Sequence, residues 1–423
     1  MLLIEVTING TVNYLSMEGI ELTRWWDNKV ISFTAPNYTI KDTYGGYVDV
    51  EFGNIEFSPD LFLSPNWPPP AECPIVVKYT DTDEASAEVL FDGTCYIRKI
   101  NRESIVYDIF DEAFDINLLD TAVDYNGDTV PLPRAFGTVT FVNPVRLPDA
   151  GGFPIWHKGN IQGVLGTNYF CYDDGIDVSV NFTDLGTTLQ QNVGLAGELT
   201  LSGVGLETTL DQVMSWGAIT KLGLAYDNSV GRVVSPPINY WAAGQDKIIS
   251  FLSDICLFFT HLNYIRNNTL YLVDMFQDNG TRTITEFEFF PAEYDYEVPI
   301  RIIKSAWENR FSVSETIGQY VKHVPDKTER TTAFPYGNLM EVTPFDDIKS
   351  NIEAALDNIL LVHPKPRARV SLPLLGSLPV PGEAITLEDT SLAEDTDVVI
   401  RCRKITYDFN NDEVVVEGEG TLT

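Results

Sequence analysis

The chain has 423 residues, of which 44% are hydrophobic and 12% aromatic, and it carries a formal net charge of −33 at pH 7. A chain of this length and apolar content can bury one core or several, and so many aromatic residues exclude a disordered acidic tail. The shortage of Lys and Arg excludes sequence-independent DNA binding through phosphate contacts, and it excludes binding to an anionic membrane surface.

The start of the chain and its longest apolar stretch bear on targeting. Met1 to Thr7 alternates like a β-strand and lacks the basic start and the cleavage site of a signal peptide. Ile248 to Phe259 is interrupted by polar residues and is too short to span a bilayer. The sequence therefore predicts a soluble protein with no membrane anchor of its own.

The five cysteines lie far apart, without a CxxC pair. They are Cys73, Cys95, Cys171, Cys256 and Cys402. Scattered thiols in apolar segments are typical of buried small hydrophobic residues in a protein made in a reducing cytoplasm. A disulfide framework is not expected, and a zinc or iron–sulfur site would require residues distant in sequence to converge. We predict no metal site and no cofactor.

Residues 1–150 are predicted to form an N-terminal β domain. Tyr47 to Phe52 alternates apolar and acidic residues, the period of a half-buried strand, and Gly53-Asn54 turns or bulges into Ile55 to Phe57. Further strands are predicted at Val76–Thr80, Glu88–Phe91, Cys95–Lys99 and Ile105–Phe110. The Pro- and Gly-rich passage from Val145 to Pro154 predicts a domain boundary.

Residues 151–300 are predicted to form an α+β middle domain. Thr208 or Thr209 can cap a helix whose apolar residues Leu210, Val213 and Met214 have helical spacing. A longer helix is predicted over Gln245 to His261. It leads into a hairpin that turns at Asn267-Asn268 and continues through Leu270 to Asp274.

Residues 301–423 are predicted to form a C-terminal β domain with one amphipathic helix. That helix covers Phe345 to Leu361, with Ile348, Ile352, Ala355 and Ile359 on its apolar face. Strands are predicted at Ala368–Leu374, Ala384–Leu387, Val398–Tyr407 and Val414–Gly418. Turns are predicted at Pro381-Gly382-Glu383 and at Asn410-Asn411, the latter in a β-hairpin.

Catalytic motifs are absent from the sequence. The histidines (His157, His261, His323 and His363) occur singly, and there is no HExxH, nucleophile elbow or Walker loop. His261 is interpreted as the end of the apolar helix, where a cation suits the carbonyl groups. Gly203 to Thr208 resembles a dinucleotide-binding loop faintly, but its third glycine position is Thr208, and a simple strand-to-helix turn is the better interpretation.

Acidic and aromatic clusters have ordinary structural interpretations. Asp124 to Asp128 fails as an EF-hand because its glycine falls two places early, and with Asp173 to Gly175 it is interpreted as a polar turn. Trp25-Trp26 and Tyr240-Trp241 could stack on sugars, although such aromatics are more often core residues or interface anchors. We therefore predict no catalytic, cofactor-binding or metal-binding residues, and a protein that is not an enzyme.

Three stretches together resemble the baseplate hub and tail-tip proteins of long-tailed bacteriophages. Ile8 to Thr23 resembles the first strands of a tail-tube-like barrel, and Leu206 to Met275 resembles the helical insert of a hub. Arg369 to Gly420 resembles a second barrel, with its Pro-Gly-Glu turn and the hairpin strand Arg403 to Phe409. The resemblance implies a mainly β fold of two tail-tube-like β-barrel modules plus a helix-and-hairpin domain.

The resemblance also implies a function without catalysis. A homotrimer with two barrels per subunit would form a pseudo-six-fold hub ring that continues the tail tube in the virion. Its partners would be the distal tail protein, the tape measure, and central fibre or receptor-binding proteins, after synthesis in the host bacterial cytoplasm. An acidic channel would pass DNA without stable binding.

Three alternatives remain open from the sequence. The chain could be a distal tail adaptor protein, which is hexameric, or a glycan-binding receptor-recognition protein that uses exposed aromatics and carboxylates. It could also be a β-rich hydrolase with a pair of acids, although no pair stands out.

Overall fold

The computed structural model describes residues 1–34, 37–40, 48–51, 53–63, 67–80, 82–110, 116–230, 235–244, 246–266, 268–276, 281–285, 293–295, 300–307, 326–332, 338–346, 348–362, 367–373, 378–388, 398–409, 411 and 413–422. Several predicted features include positions outside these residues. They are Tyr47, Phe52, Gln245, Asn267, His323, His363, Leu374 and Asn410.

The N-terminal part of the chain is built of β-strands. They are β1 (Leu2–Ile8), β2 (Thr11–Ser16), β3 (Ile20–Glu21), β4 (Trp25–Asn28), β5 (Val30–Thr34), β6 (Asn37–Ile40), β7 (Val48–Glu51), β8 (Asn54–Phe57), β9 (Glu72–Tyr79), β10 (Glu88–Ile100) and β11 (Ile105–Phe110). Among the described residues, nine of them form one sheet in the order β3-β4-β2-β1-β9-β10-β11-β8-β5.

This N-terminal sheet has one apolar face and one charged face. Ile4 lies opposite Val77, and Val77 opposite Phe91, and all three are buried. Glu5 and Asp92, one residue further along their strands, lie on the other face. The alternation follows from the two-residue period of a strand, because successive side chains point to opposite faces.

Two strands predicted on either side of Gly93 are instead one long strand, β10. The predicted strands Glu88–Phe91 and Cys95–Lys99 both lie within β10, which continues through Gly93. A Cβ atom at Gly93 would lie 2.6 Å from a ring atom of Phe91. The glycine therefore leaves room for a neighbouring aromatic ring inside the strand. The predicted strand at Ile105 to Phe110 is confirmed as β11.

The middle part mixes short strands with helices. Its strands are β12 (Thr121–Val123), β13 (Thr129–Pro131), β14 (Arg134–Phe136), β15 (Thr138–Val142), β16 (Val145–Ala150), β17 (Phe153–His157), β18 (Phe170–Asp173), β19 (Ile176–Asp177), β20 (Phe182–Asp184), β21 (Thr188–Gln191), β22 (Leu199–Val204), β23 (Ala225–Val230), β24 (Tyr240–Ala242), β25 (His261–Arg266) and β26 (Thr269–Asp274). Its helices are α1 (Leu210–Trp216), which continues as a π-helix over Gly217–Leu222, and α2 (Ile248–Phe258).

The predicted domain boundary falls on a hairpin. Strands β16 and β17 pair antiparallel and are joined through Gly151 and Gly152, both with positive φ. Glycine suits these positions because it lacks the Cβ atom that disfavours that conformation. The division of the chain at residue 150, like that at residue 300, stays a prediction.

Both helices predicted in the middle part are present, but α2 has different ends from those predicted. Helix α1 is capped by Thr209, whose side chain accepts a hydrogen bond from the Gln212 N–H. Helix α2 ends at Phe258, three residues before the predicted end. His261 is thus the first residue of β25, where it is buried and its Nδ1 lies 2.8 Å from the Phe259 carbonyl oxygen. The prediction that His261 ends the helix was wrong, although its ring does lie against the carbonyl group of the C-cap residue Phe259.

The C-terminal part contains a second large sheet. Its elements are β27 (Thr281–Thr285), β28 (Glu293–Asp295), β29 (Ile300–Trp307), β30 (Asp326–Thr331), β31 (Asn338–Val342), α3 (Lys349–Val362), β32 (Arg367–Pro373), β33 (Ala384–Glu388), β34 (Val398–Asp408) and β35 (Glu413–Leu422). Six strands run in the order β27-β33-β34-β35-β32-β28, and among the described residues β6 and β7 from the N-terminal part join this C-terminal sheet beside β34.

Helix α3 begins four residues later than predicted. Ile352, Ala355 and Ile359 are buried on its inner face, as predicted. Ile348 precedes the helix and is exposed, so its place on that face was wrong. The Asp346 carboxylate accepts a hydrogen bond from the Ile348 N–H and occupies the position just before the first turn. The predicted hairpin between β34 and β35 is confirmed by their register.

Buried side chains form three main cores. The first is common to the N-terminal and C-terminal sheets, the second surrounds the helices α1, α2 and α3, and the third fills the small sheets built from β15 to β22. The chain is thus mainly β with a helical insert, which confirms the predicted fold class. No helix within the described ranges has both the length and the hydropathy needed to cross a membrane.

Candidate assembly site

The two terminal sheets meet face to face at one junction. Phe409, which follows β34, has its ring centroid 5.6 Å from that of Phe33 in β5 and 5.7 Å from that of Tyr79 in β9. Val414 and Val416 of β35 are buried in the same core as Ile4 and Val77. The chain therefore packs its two terminal sheets around one continuous apolar core.

Backbone pairing reinforces this junction. Thr39 of β6 lies opposite Lys404 of β34, which attaches an N-terminal hairpin to the C-terminal sheet. Residues of β35 alternate between buried Val414 and Val416 and less buried Glu413 and Glu417. That period of two places an apolar face toward the N-terminal sheet, which is why this sequence forms the junction.

An ion pair and a hydrogen bond connect the middle part to the rims of both sheets. Arg266 at the end of β25 pairs with Glu88 at the start of β10. Arg401 of β34 donates a hydrogen bond to the Met275 carbonyl oxygen. These contacts fix the helix-bearing insert against the junction.

The charged face of the N-terminal sheet carries more acids than bases. Lys78 pairs with Glu5, and Arg98 pairs with Asp108. The register places the following carboxylates on this face: Glu5, Glu56, Glu72, Asp92 and Asp108. Exposed carboxylates on a sheet face repel phosphate groups and do not bind them.

A buried carboxylate anchors the link between β22 and α1. Glu207 accepts hydrogen bonds from Arg134 Nη2 at 2.7 Å and from Asn160 Nδ2 at 3.0 Å. The Arg134 guanidinium lies 4.1 Å from the centroid of the Trp216 ring. A Cβ atom at Gly205 would lie 2.1 Å from the Ala135 carbonyl oxygen, so only glycine fits there. The segment is the predicted strand-to-helix turn, here closed by a buried ion pair.

A cavity of about 250 Å³ lies beside this ion pair. Its walls include Leu132, Arg134, His157, Trp216 and Lys221. Lys221 Nζ lies 2.8 Å from Asp120 Oδ1, and burial lowers the pKa of His157. Both cations of the wall, Arg134 and Lys221, are thus paired with carboxylates.

A second buried charge network stabilises the small sheets of the middle part. Lys158 is buried, and its Nζ donates to Asp184 Oδ2 and to the Tyr169 hydroxyl, both at 3.1 Å. The Tyr169 hydroxyl donates to the same carboxylate oxygen. Burial alone would raise the pKa of Asp184, but the hydrogen bonds from Tyr169, Gly186 and Lys158 outweigh it and the pKa is lowered. Sequence reasoning missed this network because its members occupy three separate strands or loops.

The cysteines are free and buried, as predicted. Cys73 and Cys95 lie opposite each other on β9 and β10, and Cys95 Sγ donates to the Cys73 carbonyl oxygen at 3.4 Å. Burial raises the pKa of Cys171 to about 12. Thiols of this kind are poor nucleophiles. Within the described ranges no three His, Cys, Asp or Glu residues are grouped so as to hold a metal ion.

The acidic turns have the predicted form. Asp124 Oδ1 accepts hydrogen bonds from the N–H groups of Asn126 at 2.8 Å and Asp128 at 2.9 Å, and closes the turn between β12 and β13. Asp173 Oδ1 accepts from the Gly197 N–H at 2.7 Å and ties two loops together. These carboxylates are occupied by backbone donors, which agrees with a structural role.

The aromatic pairs divide between core and surface. Trp26 and Trp241 are buried, and Tyr240 is half-buried. Trp25 is exposed, and its indole N–H donates to Asp27 Oδ1 at 2.6 Å. Trp25 is therefore the member of these pairs that is open to an external partner.

Comparisons with known proteins add structural likenesses. No family model and no curated protein matches the chain. The fold is similar to a tail protein from Neisseria meningitidis (TM-score 0.47, 8% identity, 99% of this chain and 96% of that chain). It is similar to the 43 kDa tail protein of prophage MuSo2 from Shewanella oneidensis (TM-score 0.46, 7% identity, 99% of this chain and 97% of that chain). It is also similar to prophage tail protein gp18 from Listeria monocytogenes (TM-score 0.45, 11% identity, 98% of this chain and 94% of that chain). Likenesses of this degree carry no argument about function.

Proposed function

We propose that the protein is a structural component of a phage tail, a hub at the tail tip whose subunits form a ring that continues the tail tube. The observation that carries the proposal is the junction of the two terminal sheets, where Phe33, Tyr79 and Phe409 share one core. Two β sheets from one chain are held in a fixed relation by this shared core. Three such chains in a ring would present six sheets around a channel.

The charge of the chain supports a channel that conducts DNA. A wall that passes DNA must repel phosphate groups, and a net charge of −33 provides that repulsion. The charged face of the N-terminal sheet, with Glu72 and Asp92 exposed, is the candidate wall. DNA would pass along this face without stable binding.

The proposed ring has protein partners on both sides. The distal tail protein and the tape measure would lie above it, and a central fibre or receptor-binding protein would lie below. The chain would be made in the host bacterial cytoplasm and would act in the virion. It would require no catalytic residue, metal or cofactor.

Trp25 favours a second candidate function, the recognition of a glycan receptor. Trp25 is 57% exposed, and its indole N–H donates to the Asp27 carboxylate. An exposed indole presents a flat apolar face on which a sugar ring could stack. Binding of the isolated monomer to a glycan array would support this alternative.

Native mass spectrometry and negative-stain microscopy of the purified chain test the proposal. We expect a trimeric ring with six-fold pseudosymmetry in projection. A hexameric ring with one module per sector would instead indicate a distal tail adaptor. A chain that stays monomeric up to about 100 μM, well above the dissociation constants of stable oligomers, would contradict both ring assignments.

A further inference from the structure

Four exposed apolar side chains lie on neighbouring loops of the middle part. Val180 is 92% exposed, and Val164, Ile176 and Val193 are each more than half exposed. We call these four residues the valine surface. Single exposed apolar residues are ordinary on a protein, but a group of them that lies close together marks a contact site.

Backbone contacts bring the valine surface together around the turn Ser179–Asn181. Gly166, two residues after Val164, lies against Ser179, since a Cβ atom there would be 3.8 Å from the Ser179 Cβ. The Asn192 N–H donates to the Asn181 carbonyl oxygen at 2.8 Å, which places Val193 beside the turn. Ile176 enters the same turn, only three residues before Ser179.

Hydrogen bonds fix these loops before any partner arrives. Asn168 Oδ1 accepts from the Val164 N–H at 2.9 Å, and the Asn168 N–H donates to the Val164 carbonyl oxygen at 2.8 Å. The Asp177 carboxylate accepts from the Ser179 N–H at 2.9 Å. A preformed surface loses little conformational entropy on binding, which favours association.

The segments that carry this surface have no charge, although charged residues make up 21% of the chain. Residues 159–172, 178–183 and 185–197 contain no Asp, Glu, Lys, Arg or His. Asp177 and Asp184 are the exposed carboxylates at the borders of these segments. In a protein with a net charge of −33, uncharged segments of this length are the part of the surface that a like-charged molecule can approach without repulsion.

We propose that the valine surface binds a second copy of this chain and forms one half of a subunit contact in the ring, an inference that rests on the proposed function. A basic partner would be attracted to the acidic faces elsewhere on the chain. An equally acidic copy meets least repulsion at the valine surface, and depletion of charge with exposed apolar side chains is the composition of an interface centre.

Sedimentation velocity and native mass spectrometry of the full chain test this assignment. Val180→Asp and Val180→Ser are compared with Val123→Asp and Val123→Ser, because Val123 is also exposed but lies outside the valine surface, in β12. We expect both Val180 variants to weaken self-association by at least about tenfold and both Val123 variants to leave it unchanged. Circular dichroism should show the native fold in all four, because both side chains are exposed.

The outcomes separate the interface from the proposed function. If the native chain forms a ring and the Val180 variants form it equally well, the valine surface is not the subunit contact and this inference is overturned, whereas the proposed function stands. That result would leave another tail protein as the occupant of the surface. If the native chain forms no oligomer, the proposed ring and the inference both fail.

Discussion

Phe33 and Phe409 lie with their ring centroids 5.6 Å apart, although they are near opposite ends of the sequence. Both are buried, and they belong to one core that includes residues of both terminal sheets. The two sheets therefore stabilise each other, and neither buries its apolar face without the other.

Substitution of Phe409 by Ala tests this coupling. We expect a loss of about 3–5 kcal/mol in the free energy of unfolding, because a large buried ring is removed. Hydrogen exchange followed by mass spectrometry should show faster exchange in β9 and β10 as well as in β34. Ile31→Ala, which changes an exposed residue of β5, is the control. It should lower the free energy of unfolding far less than Phe409→Ala does. Faster exchange confined to β34 would contradict a common core.

The ion pair between Glu207 and Arg134 gives a second prediction. Glu207→Ala leaves the half-buried guanidinium of Arg134 without its carboxylate partner. We expect the free energy of unfolding to fall by about 3 kcal/mol. Thermal unfolding should show the loss as a lower Tm. Asp149→Ala, which breaks an exposed pair with Arg146, should cost at most about 1 kcal/mol. Equal effects of the two substitutions would contradict a special role of the Glu207 contacts.

The Asp184 carboxylate predicts acid sensitivity. Its pKa in the folded state is lowered, so its contribution to stability is present above the unfolded pKa of about 4 and is lost as pH falls through the folded value. Asp184→Asn should be less stable at pH 7, because it leaves the Lys158 ammonium buried without a charged partner. Its Tm should also fall less than that of the native chain between pH 5 and pH 3. Parallel Tm curves would contradict the linkage.

Asp254 on helix α2 predicts the opposite pH dependence. Burial, and then the nearby charge of Asp246, raises the pKa of Asp254 to about 6. The folded state thus binds the proton more tightly, so stability is lost as pH rises from about 4 toward 6. Asp254→Asn should raise the Tm at pH 7 and have little effect at pH 4. A lower Tm at pH 7 would show that the carboxylate makes a stabilising contact.

The proposed channel wall predicts a gain of DNA binding. Glu72→Lys with Asp92→Lys changes the charged face of the N-terminal sheet by four units, which should create salt-dependent, sequence-independent binding to duplex DNA in the assembled ring. Fluorescence anisotropy with labelled duplexes at two salt concentrations measures it. The matched control, Asp128→Lys with Asp149→Lys on the middle part, adds the same charge at exposed positions outside both the N-terminal sheet and the valine surface. Equal binding by both variants would contradict the assignment of the wall.

Local patterns predicted the local structure well. The strand at Ile105–Phe110, the cap at Thr209 and the hairpin between β34 and β35 are confirmed, because each depends on residues within one or two turns of chain. The errors arose where a residue has two common roles. His261 starts strand β25 and does not end helix α2, and Ile348 precedes helix α3 and does not lie on its apolar face.

The long-range contacts could not be predicted from the sequence. Arg134 and Glu207 are 73 positions apart, and no local period connects them. The Lys158 and Asp184 pair likewise depends on how separate strands fold together. The valine surface had a signal in the uncharged segments 159–172 and 185–197, but their exposure required the structure.

The attachment of β6 to β34 has a consequence for biosynthesis. Residues 37–40 leave the ribosome long before residues 398–408, so this N-terminal strand has no partner on β34 during most of translation. The apolar face of the N-terminal sheet is likewise uncovered until β35 emerges, because Val414 and Val416 close its core. Nascent chains therefore expose an aggregation-prone apolar sheet face for most of their synthesis. The producing cell must protect them from aggregation until the last strands have been synthesised.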